Sequence, residues 1–281
     1  MSLSHYKINY FLIVFFLMMA NHVQAHNKSW ILIDNFEQKN NLVGWTKADT
    51  KNDTAPNIPT PQVTEQRSEK LHSKDNTYLI KKPAAENIIG NRKALTYKKL
   101  PVQVAVGESY TFYTRINVES FPNNHAFGIS NMHPKDIELN DYNAFEPTLR
   151  VTDKTESNGL INTGALMVKV EKGYANIVNP VTQKDAKPLI AGVWYQIWYV
   201  VNNALLSDNG QTYDVYIQGS DEFPTQTKVY TNATFRMARE LPLIYFLMNA
   251  NTGPKSHPYG NGGLKYDDLY MSKNVNLTKP M

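Results

Sequence analysis

Two aromatic, β-branched runs between Val193 and Ile217 constrain the fold of this chain most strongly. The first run reads Val-Trp-Tyr-Gln-Ile-Trp-Tyr-Val-Val and the second reads Thr-Tyr-Asp-Val-Tyr-Ile, with a polar connection from Asn202 to Gln211 between them. Such runs on either side of Asp-Asn-Gly predict a β-hairpin. Because both faces of the first run carry large rings, we expect this strand mid-sheet, with one face in the core and the other lining a surface or groove.

The composition and patterning indicate an all-β protein. The 281 residues are 42% hydrophobic and 11% aromatic, include 17 Tyr, and carry only 19% charged residues, which is typical of a globular chain rather than a disordered one. Short strand candidates alternate with turns rich in Asn, Gly, Asp and Pro. The clearest is Tyr110 to Val118, where every second residue from Tyr110 makes one inward face. With no helical periodicity of useful length, we predict a two-sheet antiparallel jelly-roll sandwich.

The N-terminus reads as an export signal. Within residues 1–25, Lys7 supplies a positive start, Tyr10 to Ala20 is apolar, and Val23-Gln24-Ala25 offers a small-residue cleavage site. The apolar run is short for a membrane span, although an uncleaved anchor is the alternative reading. We therefore predict a secreted or periplasmic protein that has no membrane span after signal cleavage.

Residues 26–281 are predicted to form a single jelly-roll domain, in which residues 48–75 make a long polar surface excursion with three prolines. The chain has no cysteine, which excludes a disulfide framework and a lipid-modified cysteine. The net charge of +4 is not clustered into a basic stripe, so nucleic acid is not expected as a partner. A mild positive excess suits an acidic polysaccharide, and the plainer alternative is that it only aids solubility. The oligomeric state is left open.

The first and last strands of the predicted domain place carboxylates in line with core residues. The domain opens with Ile-Asp-Asn-Phe-Glu, ending at Glu37, and closes with Tyr-Asp-Asp-Leu-Tyr-Met from Tyr266. In the closing strand Asp267 shares a face with Leu269 and Met271. A carboxylate there must be hydrogen-bonded or must hold a cation, and oxygen ligands alone would suit calcium.

These two segments, together with Gly-Val-Trp-Tyr-Gln-Ile-Trp-Tyr and Tyr-Asp-Val-Tyr-Ile, resemble the concanavalin A-like, laminin-G-like jelly rolls of secreted bacterial proteins. The resemblance covers most of residues 30–274. Such domains include lectins, carbohydrate-binding modules, glycosidases and polysaccharide lyases, so the resemblance implies a fold more than an activity. It also implies a structural calcium held by Glu37 and Asp267, with Asp268 as a lesser candidate. The alternative is that these carboxylates cap turns or bond the backbone without an ion.

The candidate site residues are those expected for binding or cleaving an anionic glycan. No strand shows the alternating carboxylates that a retaining glycosidase needs, and nucleophile-elbow and P-loop patterns are absent. A lyase acting on a uronate needs a group that neutralises the sugar carboxylate, a base and an acid. If the relevant strands are neighbours in one sheet, their outward faces form a basic, tyrosine-lined groove made of Tyr113, Arg115, Asn117, Arg150, Lys169, Tyr195 and Tyr199.

The strand register leaves one choice open, because Gln196 and Trp198 would replace the two hairpin tyrosines if the first run faced the other way. In a lyase the catalytic candidates would be Arg115, Tyr199, His125 and Lys169, although an isolated histidine is more often a surface or loop residue. The alginate-lyase motifs Arg-x-Glu-Leu and Gln-Ile-His are absent. The sequence thus supports a binder of an anionic, uronate-containing polysaccharide. The alternatives are a lyase that cleaves such a glycan by β-elimination and an adhesion or structural protein of the cell envelope.

Overall fold

The computed structural model describes residues 29–38, 42–156, 159 and 161–280. Two antiparallel sheets pack face to face, which confirms the predicted all-β jelly-roll sandwich. The predicted signal peptide, residues 1–25, lies outside the described residues. Within the part of the chain that the structure describes, no helix has the length and apolar character needed to cross a membrane.

The described residues form strands of two to twelve residues, and one α-helix, α1 (Pro134–Asn140), lies between the seventh and eighth strands. In chain order the strands are β1 (Ile31–Asp34), β2 (Trp45–Asp49), β3 (Val63–Leu71), β4 (Lys74–Lys82), β5 (Ala94–Val104), β6 (Ser109–Val118), β7 (Asn124–Ser130), β8 (Phe145–Thr152), β9 (Leu166–Lys169), β10 (Tyr174–Asn176), β11 (Val178–Asn179), β12 (Lys184–Asp185), β13 (Trp194–Asn202), β14 (Thr212–Gly219), β15 (Phe223–Thr234), β16 (Leu243–Ala250) and β17 (Leu264–Lys273).

The order of strands separates the chain into two layers. The first sheet runs β15-β14-β13-β6-β17-β4-β3, with β1 also paired to β17. The second sheet runs β10-β9-β8-β7-β16-β5-β2, and β11 and β12 form a small separate ribbon. Strands adjacent in sequence therefore often lie in different sheets, as jelly-roll connectivity requires.

The predicted aromatic hairpin lies in the middle of the first sheet. β13 pairs with β14 on one side and with β6 on the other, which confirms the central position. Tyr195 and Tyr199 face the core, whereas Trp194 and Trp198 face outward. The connection is longer than a tight turn and contains a short 3-10 turn at Leu206–Asp208.

Aromatic contacts within and between the layers form the centre of the core. Tyr199 of β13 stacks on Phe112 of β6 with ring centroids 5.3 Å apart. Tyr266 of β17 meets Phe127 of β7 edge to face at 5.6 Å, which joins the first sheet to the second. Edge-to-face and offset pairs of this kind each add about 0.5–1.5 kcal/mol beyond the burial of their area.

Two segments differ from the sequence-based expectation. The excursion predicted for residues 48–75 contains β3, which pairs along its length with β4 at the edge of the first sheet. β3 was not predicted as a strand, because an edge strand exposes much of its surface and its sequence is therefore polar. The helix α1 was also not predicted, because it has seven residues and buries only Ile137.

Candidate functional site

The predicted groove does not form, because its residues lie on two different sheets. Tyr113, Arg115 and Asn117 project outward from β6 in the first sheet. Arg150 and Lys169 project outward from β8 and β9 in the second sheet. The outer faces of a sandwich point in opposite directions, so the two groups cannot line one groove.

Arg115 is engaged by side chains of its own sheet. It forms an ion pair with Asp267, and its Nε lies 2.8 Å from Asp268 Oδ2. Its Nη2 also donates to Asn76 Oδ1 at 2.7 Å, and its guanidinium lies 5.2 Å from the ring of Trp194. These contacts account for Arg115 within the fold, and they argue against its predicted role in neutralising a substrate carboxylate.

The C-terminal segment covers the neighbouring outward residues of the first sheet. Trp198 is fully buried, and its Nε1 donates to the Thr278 carbonyl oxygen at 2.9 Å. Tyr113 lies beside Trp198 with ring centroids 5.0 Å apart, and Asn117 is buried as well. A ligand would therefore have to displace this segment to reach Trp198 or Tyr113.

Three further candidates face the core rather than solvent. Tyr195 and Tyr199 both point between the sheets, so the expected placement of these hydroxyls in a groove is wrong. His125 is buried too, with its Nε2 2.8 Å from the Gly262 carbonyl oxygen, and burial lowers the pKa of its imidazole to about 3. A buried side chain cannot reach a polymer, so neither Tyr199 nor His125 can act on one in this arrangement.

The proposed calcium ligands do not come together as a metal site. Asp267 is fully buried and paired with Arg115, while Glu37 Oε1 accepts a hydrogen bond from the backbone N–H of Thr77 at 3.3 Å. Burial raises the pKa of Asp267, and the guanidinium opposes this by favouring the charged form. Among the described residues, no group of three or more His, Asp or Glu side chains could hold a metal ion. These donors already have protein partners and do not fit a calcium site.

A cavity of about 640 Å³ opens instead on the outer face of the second sheet. Its floor is made by β7 to β10, and its walls come from the turn after α1, from the segments that flank β9, and from the loop that precedes β16. The lining is strongly polar, and it consists of Lys93, Asn124, Asn140, Asp141, Tyr142, Asn143, Arg150, Lys154, Glu156, Asn162, Met167, Lys172, Gly173, Tyr174, Arg236 and Asn251.

The segment between β7 and β8 creates the wall on one side. Ile137 of α1 and Ala144 of the following 3-10 turn pack against Leu95 and Leu247, which project outward from β5 and β16. Burial of these apolar side chains stabilises the fold by about 25 cal/mol for each Å² of apolar surface removed from water. The segment thereby covers the outward side chains of β5 and β16 and leaves the cavity beside it.

Arg150 forms the charged floor of the cavity. The side chain is 6% exposed, and its Nη2 donates to Glu156 Oε1 at 3.1 Å. Its guanidinium lies 4.6 Å from the centre of the Tyr174 ring, and its Nε has no hydrogen-bond partner among the described residues. A buried donor without an acceptor carries a desolvation cost of about 1–3 kcal/mol, more when charged, so the unpaired Nε makes this placement of the guanidinium costly.

Tyr142 lies among three cations. The Arg236 guanidinium is 4.4 Å from the ring centre, the Lys93 ammonium 5.1 Å and the Arg150 guanidinium 5.9 Å. Its hydroxyl oxygen is buried and makes no hydrogen bond of good geometry to a described residue. Burial raises the pKa of Tyr142 well above 10, so the phenol stays protonated and can donate a hydrogen bond at neutral pH.

Arg236 joins the two walls. Its Nε and Nη2 donate to Asn143 Oδ1 at 3.2 and 2.9 Å, and its Nη1 donates to the Tyr174 hydroxyl at 3.3 Å. Glu146, fully buried beneath, holds this loop because it accepts the backbone N–H groups of Met237 and Ala238 at 3.0 and 2.8 Å. A carboxylate on the second sheet therefore positions a guanidinium in the cavity lining.

The electrostatic balance of the cavity is positive. Five cations line it against two carboxylates, and burial lowers the pKa of Lys93. Lys169, predicted as a ligand residue, instead turns its ammonium to the carbonyl oxygens of Val170 and Glu171. Of the predicted residues only Arg150 lines the cavity.

The sequence did not identify Lys93, Tyr142, Tyr174 and Arg236 as site residues. Tyr174 begins the short strand β10, and a strand of three residues gives no pattern from which its role could be predicted. The other three lie next to or between strands, where no periodicity predicts which residue faces a ligand. Only the packing of α1 and of the Arg236 loop brings them together.

No family model matches this chain, and no curated protein matches it. Its architecture defines the class: a concanavalin A-like jelly-roll sandwich with a basic cavity on one outer face. Among solved structures, the chain is similar to a GH131 β-glucanase catalytic domain from Podospora anserina, with 11% identity, TM-score 0.43, and 73% of this chain and 74% of that chain covered.

Two further structures have the same kind of likeness. The marine PL-14 alginate lyase from Aplysia kurodai matches at 10% identity and TM-score 0.45, covering 73% of this chain and 86% of that one. The lectin UEA-II complexed with galactose matches at 6% identity and TM-score 0.42, covering 82% of this chain and 98% of that one. The likeness lies in the strand arrangement and assigns no activity to this chain.

Proposed function

We propose that this protein binds an anionic, uronate-containing polysaccharide in the cavity on the second sheet. The observation that carries the proposal is Arg150, a guanidinium that is 6% exposed and lines a cavity with an excess of cations. A guanidinium donates two parallel hydrogen bonds to a carboxylate in a fixed geometry, which makes a sugar acid a suitable partner.

The remaining lining suits the rest of a sugar. The amides of Asn124, Asn162 and Asn251 offer donors and acceptors for hydroxyl groups, while Tyr142 and Tyr174 offer ring surface for the apolar face of a pyranose. The cavity volume lies within the range of about 300–1,000 Å³ that is common for ligand sites. Export through the predicted signal at residues 1–25 would bring the protein to extracellular or periplasmic glycans.

A lyase is the second candidate, and Lys93 is the observation that favours it. Burial lowers the pKa of this amine, which brings a base closer to neutrality in the same cavity as the protonated phenol of Tyr142. In β-elimination Lys93 would take the C5 proton of the uronate, and the electron pair would form the C4–C5 double bond. The C4–O bond would break, and Tyr142 would supply the proton to the leaving oxygen.

The deciding experiment titrates the full chain with alginate, polygalacturonate and a neutral glucan, and follows both heat of binding and ultraviolet absorbance. Binding to the uronate polymers that weakens with added salt, with little or none to the neutral glucan, supports the proposal. Absence of binding to both uronate polymers overturns it. An increase in ultraviolet absorbance from an unsaturated sugar would show lyase activity. Loss of that increase in Lys93→Met would identify Lys93 as the base.

A further inference from the structure

We infer that the carboxylate of Glu156 occupies the place that the carboxylate of a bound uronate takes, so that binding exchanges one carboxylate for another on Arg150. The inference rests on the proposed function and concerns the same cavity. It makes Glu156 an internal competitor of the ligand, and the affinity of the site then depends on how strongly this side chain holds its place.

Glu156 already has the partners that a sugar carboxylate needs. Its Oε1 accepts hydrogen bonds from Arg150 Nη2 at 3.1 Å and from Asn162 Nδ2 at 2.8 Å, and its Oε2 lies 2.8 Å from Lys154 Nζ. All four residues line the cavity. Burial raises the pKa of Glu156, but these contacts outweigh it and hold the pKa below its usual value, so the carboxylate is charged at neutral pH. Two cations and an amide around one carboxylate also suit a free carboxylate.

Glu156 is the acidic partner of Arg150. Among the described residues, no other carboxylate forms an ion pair with this guanidinium. The second carboxylate of the lining, Asp141, accepts a hydrogen bond from Thr50 Oγ1 instead. An anion that pairs with Arg150 therefore meets Glu156 as its competitor.

The contacts of Glu156 allow the exchange. Its side chain is 23% exposed, against 7% for that of Arg150, so the acidic partner is the one nearer to solvent. When Oε1 leaves Arg150, Lys154 lies close by in the chain and can remain the partner of Oε2. The sugar carboxylate takes over the hydrogen bonds of Arg150 and Asn162. The exchange therefore leaves no buried charge without a partner, which would be strongly destabilising.

A neutral sugar cannot make this exchange on equal terms. Hydrogen bonds between a guanidinium and a carboxylate are about twice as strong as those between neutral groups. A hydroxyl group is therefore a poor substitute for the Glu156 carboxylate, and a neutral sugar would leave the pair in place. A uronate replaces charge with charge, so the exchange lets sugars that carry a carboxylate reach Arg150.

The test compares the full chain with its Glu156→Gln variant in titrations with oligomers of alginate and of polygalacturonate. Gln keeps the size of the side chain and an oxygen acceptor for Arg150, and it removes the charge. We expect the affinity for both oligomers to rise about tenfold, because the ligand no longer displaces the charged partner of a partly buried ion pair. An affinity that is unchanged or lower overturns the inference and leaves the proposed function intact. No binding by either protein overturns both.

Two further variants separate the exchange from a general change of charge. Asp141→Asn removes the other carboxylate of the lining, and Glu171→Gln removes an exposed carboxylate outside it. We expect a gain in affinity of about twofold at most for Asp141→Asn, because its effect on the ligand is that of a screened charge. Glu171→Gln should bind like the unmodified protein. Equal gains in Glu156→Gln and Asp141→Asn would mean that net charge governs affinity, and would contradict the exchange.

Acetate, a free carboxylate, tests the position itself. Glu156→Ala removes the internal carboxylate and retains Arg150, Lys154 and Asn162 as partners for another. The inhibition constant of sodium acetate against the polygalacturonate oligomer should therefore be lower in this variant than in the unmodified protein. Sodium chloride at the same ionic strength is the control. The same inhibition constant in both proteins would show that acetate does not take the place of Glu156, and the inference would be wrong.

Discussion

Arg239 Nη1 lies 2.8 Å from Glu146 Oε1, and the carboxylate end of this ion pair is fully buried. The same carboxylate also accepts the Asn131 side-chain amide at 3.0 Å and two backbone N–H groups. A single acidic residue on β8 thus fixes the loop that carries Arg236. The relationship ties the stability of the second sheet to the shape of the cavity.

Replacing Glu146 should therefore affect stability and binding together. We expect Glu146→Ala to lower the free energy of unfolding by about 3–5 kcal/mol, because it leaves Arg239, the Asn131 amide and two backbone N–H groups without their partner. Glu146→Gln keeps an acceptor for the N–H groups and should lose less. Urea denaturation measures both, and equal midpoints for the alanine variant and the unmodified protein would contradict this account. Uronate titration of Glu146→Gln should show weakened affinity, since the Arg236 loop is held less firmly.

Removing the cavity floor charge should weaken binding and leave the fold in place. Arg150→Met removes the guanidinium from the cavity floor, and hydrogen bonds to charged groups contribute about 1.5–3 kcal/mol, so affinity for uronate oligomers should fall roughly 10- to 100-fold. Glu156 retains Lys154 and Asn162 as partners in this variant. Arg67→Met, on an exposed strand outside the cavity, is the matched control. Equal losses in both variants would mean that total charge, not the site, governs binding.

The buried Lys81 should make stability depend on pH. Its ammonium donates to Gln62 Oε1 at 3.0 Å and to Thr96 Oγ1 at 2.7 Å, and burial lowers its pKa from 10.5 to about 7. Between these values the unfolded chain holds the proton and the folded chain does not, so the free energy of unfolding rises with pH across this window.

The Lys81→Met variant has no amine at this position, so this side chain binds no proton in the folded or the unfolded state. Its stability relative to the unmodified protein should be highest below about pH 7 and should decline as the pH rises above that value. Urea midpoints of the two proteins, compared on both sides of about pH 7, measure this difference. A gap that does not change with pH would indicate that Lys81 is not the titrating group.

The C-terminal segment should protect the outer face of the first sheet. Thr278 accepts hydrogen bonds from Trp198 Nε1 at 2.9 Å and from Trp30 Nε1 at 3.1 Å, and Asn276 is buried beneath it. We expect truncation after Asn274 to expose Trp198, which would shift its fluorescence to longer wavelength and increase quenching by acrylamide. Trp30→Phe should lower stability by only about 1 kcal/mol, the net contribution of one hydrogen bond. A truncated protein with unchanged emission would contradict the covering role.

Calcium should leave the thermal stability unchanged. Asp267 and Asp268 are both paired with Arg115, and Glu37 bonds the backbone of β4. Melting the protein with added calcium and after chelation measures this, and a rise in Tm with calcium would revive the metal site that the sequence resemblance implied. Arg115→Met, by contrast, should destabilise strongly, because it leaves a buried carboxylate without its cation.

The sequence by itself determined the fold class, the central hairpin and most of the strands. Alternation of apolar residues is a local property, and in Tyr110 to Val118 it identified the inward face correctly. It also indicated that Arg150 faces outward. These predictions succeed because the alternation of apolar and polar side chains along a strand follows the alternation of its buried and exposed faces.

The tertiary structure alone decided which outward faces belong together. Arg115 and Arg150 read alike in sequence, yet jelly-roll connectivity places β6 and β8 in opposite sheets, so one guanidinium pairs with Asp267 and the other lines a cavity. The register of β13 likewise depends on its partners and not on its residues, since both faces are aromatic. The site arises where α1 and the Arg236 loop fold over the second sheet, and contacts between distant segments leave no local pattern to read.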